Sequence, residues 1–223
     1  MDRFSFLKDS LPIYISNPLI TEIIICDENG NDNKEIAKSF NSDKLKLYVN
    51  ESRLGPFRNK FKSIKLANSK WIALIDSDNF ADNDYFECAS KYIINNHPSK
   101  LSIIQPSQAL PNFTLTLKED KIYNKSNISE IGAVFINAGN YILNKHLVDN
   151  VNIEVEKNNI DQSGPYDVIL MNLILIDQFE LEFHVLANLK YQHRIHKNSI
   201  YLTTHRKHKN FHRYIYDRFN KLL

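Results

Sequence analysis

Two carboxylates, Asp76 and Asp78, stand two residues apart and directly follow the apolar run of residues 71–75. The run predicts a buried strand, and in open α/β sheets ligands bind outside the carboxyl ends of the strands. Carboxylates in such a turn can face one hard cation, because Mg²⁺ and Mn²⁺ prefer oxygen ligands and often bridge carboxylates to substrate phosphates. The pair therefore predicts a metal site, and a polar turn with helix-capping aspartates is the alternative.

A second acidic pair, Asp27 and Glu28, also follows an apolar run, that of residues 21–26. Its oxygens could accept hydrogen bonds from a nucleobase or from ribose hydroxyls. The alternative is a turn of Asn and Gly residues that caps the next helix. Taken alone, the segment favours this alternative.

Two more candidates lie in the second half of the chain. Arg194 and His196 fall in a predicted strand-to-loop segment, where the arginine could meet a phosphate and the histidine could bind a divalent ion. A solvated basic loop is the alternative there. Asp167 stands at the start of a predicted helix, as a carboxylate base at the rim of a site or as an acid that complements the helix dipole.

Strands and helices alternate through the first two-thirds of the chain, which predicts an α/β fold with a mostly parallel central sheet flanked by helices. The predicted helices there cover 4–16, 33–41, a segment opened by Pro56, and 82–96, and the predicted strands cover 21–26, 45–49 and 71–75. The later part predicts strands at 101–105, 113–117, 132–136, 181–186 and 189–194, and helices at 140–149 and 165–177. We expect one domain over residues 1–204 and a basic amphipathic helix over 205–223 that packs on it. Contact of that helix with a membrane surface is the alternative.

Composition excludes several classes of protein. The 28 basic and 26 acidic side chains give a net charge of +2, so charge gives no reason to expect a nucleic-acid partner. Two cysteines are too few for a disulfide scaffold and favour a reducing, cytoplasmic location. The sequence has no apolar run near the roughly 20 residues of a membrane helix. It also has no Walker A loop, no GxGxxG fingerprint and no GxSxG elbow.

Taken together and in order, these segments resemble a family 2 glycosyltransferase with the GT-A fold, over roughly residues 3–200. Each motif alone is weak, but their order and the type of element that carries each one make the resemblance fairly specific. The segments that carry it are Asp27-Glu28, the set Asn50, Gly55, Arg58 and Asn59, then Asp76-Ser77-Asp78-Asn79, Asn137-Ala138-Gly139-Asn140, Gly164 to Asp167, and His193 to Ser199.

The resemblance implies an enzyme that moves a sugar from a nucleotide-diphosphate sugar to a hydroxyl of a carbohydrate, lipid or protein acceptor. A UDP-sugar is the donor expected from how common such donors are. The resemblance also implies a divalent cofactor, Mn²⁺ or Mg²⁺, and inversion at the anomeric carbon. The residue roles that it implies are metal binding by Asp76, Asp78 and His196, nucleotide binding by Asp27, Glu28, Arg58, Asp76 and Ser77, donor-sugar binding by Gly139 and Asn140, and general-base catalysis by Asp167.

Two departures from the family pattern matter. Tyr166 stands where the pattern has the Glu of a Glu-Asp pair, so the base assignment depends on Asp167 alone. The usual first strand is also missing, since Met1 falls where that strand should end. We therefore expect the slot between the strands at 21–26 and 71–75 to be filled by a later strand or a partner chain, or to stay open at a cost in stability. A nucleotidyltransferase of related fold and a non-catalytic sugar-binding or scaffold protein are the alternative functions.

Overall fold

A computed structural model describes residues 3–114, 120–130, 132, 139–197 and 199–222. The strands are β1 (Ile23–Asp27), β2 (Leu45–Val49), β3 (Trp71–Ala73), β4 (Ser102–Leu110), β5 (Phe113–Thr114), β6 (Lys121–Tyr123), β7 (Ile142–Asn144) and β8 (Glu182–Gln192). The α-helices are α1 (Phe4–Ser16), α2 (Asn31–Ser39), α3 (Gly55–Leu66), α4 (Asn83–Asn96), α5 (Lys145–Asn150), α6 (Lys157–Gln162), α7 (Asp167–Gln178), α8 (Ile200–Thr204) and α9 (Lys209–Asn220). Short 3₁₀ helices cover Ile128–Glu130, Glu154–Glu156, Gly164–Tyr166 and His205–His208.

The predicted α/β architecture is confirmed, with helices flanking a central sheet, although among the described residues only β4 and β8 are parallel neighbours within that sheet. In that sheet the strands lie in the order β3, β7, β4, β8, β6, and β5 pairs with β4. Strands β4 and β8 are parallel, and the short β7 runs antiparallel to both β3 and β4. Strands β3, β4 and β8 therefore point the same way, so the segments that follow them leave the sheet at one edge.

Two predicted elements of the later part differ from the structure. The segment 140–149, predicted as one helix, begins with β7, because Ile142–Asn144 pairs on both sides with neighbouring strands. Asn144 then caps α5 by accepting a hydrogen bond from the His146 backbone N–H at 3.1 Å. The two strands predicted at 181–186 and 189–194 are one strand, β8, interrupted by a register shift where Asn188 adopts a φ of 65°. The predicted strand at 132–136, apart from its first residue, and residues 115–117 lie outside the described residues.

Two apolar clusters form the core. Helix α7 is the centre of the first, since all its residues from Val168 to Ile176 are buried except Ile169. The apolar side of α9, formed by Phe211, Ile215 and Phe219, is buried in the same cluster. The second cluster includes buried side chains of α1, α2 and α4. No helix in the described part of the chain combines the length and the apolar composition that crossing a bilayer requires.

A groove separates β1 from β3. Strand β1 pairs with β2 alone and β3 pairs with β7 alone, and within the described residues no strand lies between them. A cavity of about 520 Å³, lined by both strands and by residues of α1, α3 and α4, occupies that space. Residues 23–26 and 71–73 are accordingly half-buried, where the sequence predicted strands covered on both faces. The described residues do not include a later strand that fills the slot.

Candidate functional site

Polar side chains from several elements converge at the edge where β3 and β8 end. Asp76 and Asp78 follow β3, Asn140 precedes β7, and His196 follows β8. Asp167 is the first residue of α7. Two cations complete the set, Lys60 of α3 and Arg3, the residue before α1. Each cation is the centre of one charged group.

Lys60 forms the centre of the first group. Its Nζ lies 2.7 Å from Asp76 Oδ1 and 2.8 Å from Asp167 Oδ2. Since both contacts share one nitrogen atom, these two carboxylate oxygens lie within about 5.5 Å of each other. Two unit negative charges at that separation repel by about 3 kcal/mol at an effective dielectric constant of about 20. The ammonium group of Lys60, placed between the two oxygens, offsets this repulsion.

The pKa shifts of Lys60 and Asp76 agree with this arrangement. Burial alone would lower the pKa of Lys60, but the charges of Asp167 and Asp76 outweigh burial and raise that pKa above its usual value. Burial alone would raise the pKa of Asp76, but Lys60 and a hydrogen bond with Asn140 lower it overall. Lys60 is therefore a cation and Asp76 an anion at neutral pH.

Asn140 holds Asp76 from the other side. Its Oδ1 accepts a hydrogen bond from the Asp76 backbone N–H at 2.6 Å, and its Nδ2 lies 3.4 Å from Asp76 Oδ2. Asn140 adopts a φ of 58°, and its carbonyl accepts a hydrogen bond from the Tyr85 hydroxyl at 2.9 Å. The preceding Gly139 lies against α7, where an added Cβ would sit 3.5 Å from a Val168 methyl group. The two predicted donor-sugar residues thus stand between Asp76 and α7.

Asp78, His196 and Arg3 form the second group. Arg3 Nη1 lies 2.6 Å from Asp78 Oδ2 and 2.7 Å from His196 Nε2, and those two atoms are 2.9 Å apart. One imidazole nitrogen cannot donate to Asp78 and accept from Arg3 at once, so one of these close contacts is not a hydrogen bond. The ring of Phe6 packs on His196 with a centroid distance of 4.8 Å.

The Asp78–His196 pair fits one side of a divalent cation site. A carboxylate oxygen and an imidazole nitrogen are ligands that Mn²⁺ accepts, and both lie within 2.7 Å of a single positively charged group, the Arg3 guanidinium. Two octahedral ligands at right angles, about 2.1 Å from a metal, would be about 3.0 Å apart, close to the separation here. Asp76 contacts Lys60 instead, and no three His, Cys, Asp or Glu side chains cluster as a metal site within the described residues. Oxygens of a ligand or of water would have to complete the coordination.

The predicted nucleotide-binding residues are held in other contacts. Asp27 accepts the backbone N–H groups of Asn29 and Asn33 at 3.2 and 3.1 Å, which is the capping arrangement considered as the alternative. Glu28 accepts the Gly55 N–H at 2.7 Å and so ties the end of β1 to the start of α3.

Arg58 and Ser77 have other neighbours in the structure. Arg58 pairs with Asp161 of α6 at 2.9 Å. Ser77 lines the groove between β1 and β3.

Arg194, considered above as a phosphate contact, packs between two aromatic rings. Its guanidinium carbon lies 5.9 Å from the Phe6 ring centre and 5.5 Å from that of Phe80. It is also 3.7 Å from Asp9 of α1. Arg194 thus holds α1 against the segment after β8 and supports the loop that carries His196.

Sequence reasoning missed Lys60 and Arg3. Lys60 directly follows the Arg58-Asn59 segment, but on a helix with several basic residues it looks like one more solvated cation. Arg3 has no local signal, because its two partners lie 75 and 193 residues away along the chain.

Comparison with known proteins identifies the family. The model of glycosyl transferase family 2 matches residues 7–146, more than half of the chain. A search of curated proteins finds no match.

Solved structures show the same fold. S. aureus TarS 1-349 in complex with UDP-GlcNAc matches with a TM-score of 0.66 at 14% identity, covering 97% of this chain and 63% of that one. The mannosyltransferase PcManGT from Pyrobaculum calidifontis, in complex with GDP-Man and Mn²⁺, matches with a TM-score of 0.60 at 10% identity, covering 92% and 58%. At these identities the likeness establishes the GT-A fold. The chain spans about three fifths of the length of these two neighbours.

Proposed function

Since the chain belongs to glycosyl transferase family 2, we propose that it transfers a sugar from a nucleotide-diphosphate sugar to an acceptor hydroxyl. The observation that carries this proposal is the convergence of Asp76, Asp78, Asp167, Asn140 and His196 at one edge of the sheet. The neighbours crystallised with UDP-GlcNAc, UDP and GDP-Man support a nucleotide-sugar donor. We propose a UDP-sugar as the first donor to test.

In the proposed reaction Asp167 is the general base. Its carboxylate takes the proton of the acceptor hydroxyl while the acceptor oxygen forms a bond to the anomeric carbon. The bond from that carbon to the phosphate oxygen breaks, and the nucleoside diphosphate leaves with the electron pair. Attack opposite to the leaving group inverts the configuration. Asp167 suits this role because it is the first residue of α7 and shares the Lys60 ammonium with Asp76 of the loop after β3.

The remaining residues bind the donor in this proposal. Asp78 and His196 would hold a divalent cation, Mn²⁺ or Mg²⁺, and the cation would supply positive charge for the leaving diphosphate. Arg3 would have to move off these two side chains for the cation to bind.

Around the donor itself, Gly139 and Asn140 line the sugar subsite. The nucleoside contacts are proposed for Asp27, Glu28, Arg58 and Ser77, with Asp76 against the ribose. Arg58 would have to leave Asp161 to make such a contact.

The charge arrangement favours one second candidate, a protein that binds a nucleotide or sugar without turnover. Arg3 already neutralises Asp78, so a metal ion would have to displace this internal cation before it could assist turnover.

A donor panel separates the two. The protein is incubated with UDP-, GDP- and other nucleotide sugars with Mn²⁺, with Mg²⁺ or with EDTA, and thermal shift and release of nucleoside diphosphate are both measured. A transferase gives a metal-dependent shift with at least one donor and slow release of its diphosphate, because donor hydrolysis needs no specific acceptor. A shift without release supports the binding protein, and neither signal with any donor contradicts both.

A further inference from the structure

The contact of one ammonium group with two carboxylates joins three elements of the site. Lys60 belongs to α3, Asp76 to the loop after β3, and Asp167 to the first turn of α7. We propose that Lys60 is a positioning residue for sugar transfer, which holds the base Asp167 at a fixed distance from the loop after β3 that carries Asp76, called here the donor-binding loop. This inference rests on the proposed function and adds to it a residue that the family pattern did not point to.

The local geometry of Asp167 supports this role. Its Oδ2 is buried, and the Lys60 ammonium group at 2.8 Å is what compensates that burial. Engaging Oδ2 in this way fixes the rotation of the carboxylate. Oδ1 is then the oxygen left to receive the proton of an acceptor.

The other end of the chain of contacts is anchored as well. Asp76 is fixed by Asn140, which accepts its backbone N–H at 2.6 Å, and Asn140 is fixed in turn by Tyr85. Lys60 thus transmits the position of the donor-binding loop to the base. Proximity of this kind is a large part of catalysis, since an error of about 1 Å in placing a reacting group can cost about 10²-fold in rate.

A second lysine on α3 provides a matched control. Lys65 lies five residues further along the helix and faces a single carboxylate, Asp149, at 3.6 Å. Its side chain is 39% exposed, whereas that of Lys60 is 20% exposed. Loss of Lys65 changes the charge of the same helix without touching the site.

The experiment compares Lys60→Met, Lys60→Arg and Lys65→Met, in the full chain, with the donor that gives release of nucleoside diphosphate. We expect Lys60→Met to lower kcat by about 10–100-fold with a donor KM within about threefold of the wild type. Lys60→Arg should recover part of the loss, and Lys65→Met should behave as the wild type. In an Asp167→Asn background, Lys60→Met should lower kcat by less than about threefold, because a residue that acts through Asp167 has no further effect once the base is gone.

Each other result overturns the inference. Equal losses in both backgrounds would show that Lys60 acts independently of Asp167, and a raised donor KM with unchanged kcat would make it a donor-binding residue. An unchanged rate in Lys60→Met would show that it has no role. If Lys60→Met does not fold, Lys60→Arg replaces it in the comparison, because arginine keeps the charge and changes the length of the side chain. The kcat of Lys60→Arg should then fall between the values of the wild type and of Asp167→Asn. A wild-type kcat overturns the inference.

Failure of the proposed function has a different signature. If the wild type neither releases nor transfers a sugar from any donor, the function is refuted and crystal structures decide the positioning role. The positioning role is supported if the Asp167 carboxylate is displaced by about 1 Å or more in Lys60→Met, or in Lys60→Arg if the former does not fold, and stays in place in Lys65→Met. An unmoved carboxylate refutes it.

Discussion

A strand added in the groove between β1 and β3 should stabilise the chain. The two strands line a cavity of about 520 Å³, and each has one edge that pairs with no strand among the described residues. The start of α1 lies between their carboxyl ends, since Arg3 contacts Asp78 after β3 and the Phe4 N–H donates to Asp32 of α2 at 2.9 Å. A strand joined directly ahead of this point would therefore run through the groove parallel to both.

The magnitude follows from the lengths of the strands. With five residues in β1 and three in β3, an added strand would form about six backbone hydrogen bonds, worth about 6 kcal/mol in total. Five buried apolar side chains would contribute about 10 kcal/mol, and ordering the added residues would cost about 10 kcal/mol. The expected gain is about 6 kcal/mol, which corresponds to a rise in Tm of about 15–20 °C for a chain of this size.

The assay uses a fusion of five Val and Ile residues ahead of Met1. Tm is measured by circular dichroism and the free energy of unfolding by urea titration. The matched control carries the same segment with a central proline, which cannot donate a ladder hydrogen bond and is poorly tolerated between two strands. A Tm within about 2 °C of this control would refute the reasoning, because it would show that the groove does not accept a paired strand.

Four further outcomes follow from the site and the core. Asp78→Ala should abolish the Mn²⁺-dependent part of the thermal shift with nucleotide, and an undiminished shift would contradict its assignment as a metal ligand. Asp167→Asn should keep donor binding by calorimetry while transfer falls by about 10²–10⁴-fold, whereas lost binding with normal turnover at saturation would make it a donor contact. Arg3→Gln should lower the Mn²⁺ concentration for half-saturation by about fivefold, since it removes an ion pair worth about 1 kcal/mol. The measurement is electron paramagnetic resonance of Mn²⁺ without donor. Unchanged affinity would show that Arg3 does not compete with Mn²⁺ for Asp78. Burial lowers the pKa of His184, so its contribution to stability is present above about pH 6.5 and is lost as pH falls towards its folded pKa. His184→Gln should therefore flatten the pH dependence of the free energy of unfolding below about pH 6.5. Parallel curves for the wild type and the variant would contradict the assignment.

The parts of the fold that could be predicted are those with local signals. The apolar side chains of residues 71–75 predict a strand, and Asp76 and Asp78 directly after it indicate its carboxyl end. Strand β7 could not be predicted in this way, because three residues that pair with strands on either side carry no periodicity of their own. The break predicted within β8 corresponds to a real irregularity, the register shift at Asn188, although the strand continues through it.

Sequence patterns point to the acids of the candidate site and give no signal for Lys60 and Arg3. Asp167 is recognisable from its place at a helix start, and the ion pair that holds it depends on α3 and α7 lying side by side, which no local pattern of the sequence records. The same holds for Arg58, whose partner Asp161 lies 103 residues away. Contacts between distant segments were thus the part that needed the structure.

The arrangement around Lys60 also restricts how the sequence can change. An uncharged residue at this position would leave Asp76 and Asp167 facing each other with no cation between them, so the substitution is tolerable mainly when one of the two acids is also lost or when a neighbouring element supplies a new cation. Substitutions at these three positions should therefore be linked across relatives of the chain, although 16 and 91 residues separate them in sequence. Transplanting Lys60 together with both aspartates should be tolerated better by a related scaffold than transplanting any one of the three.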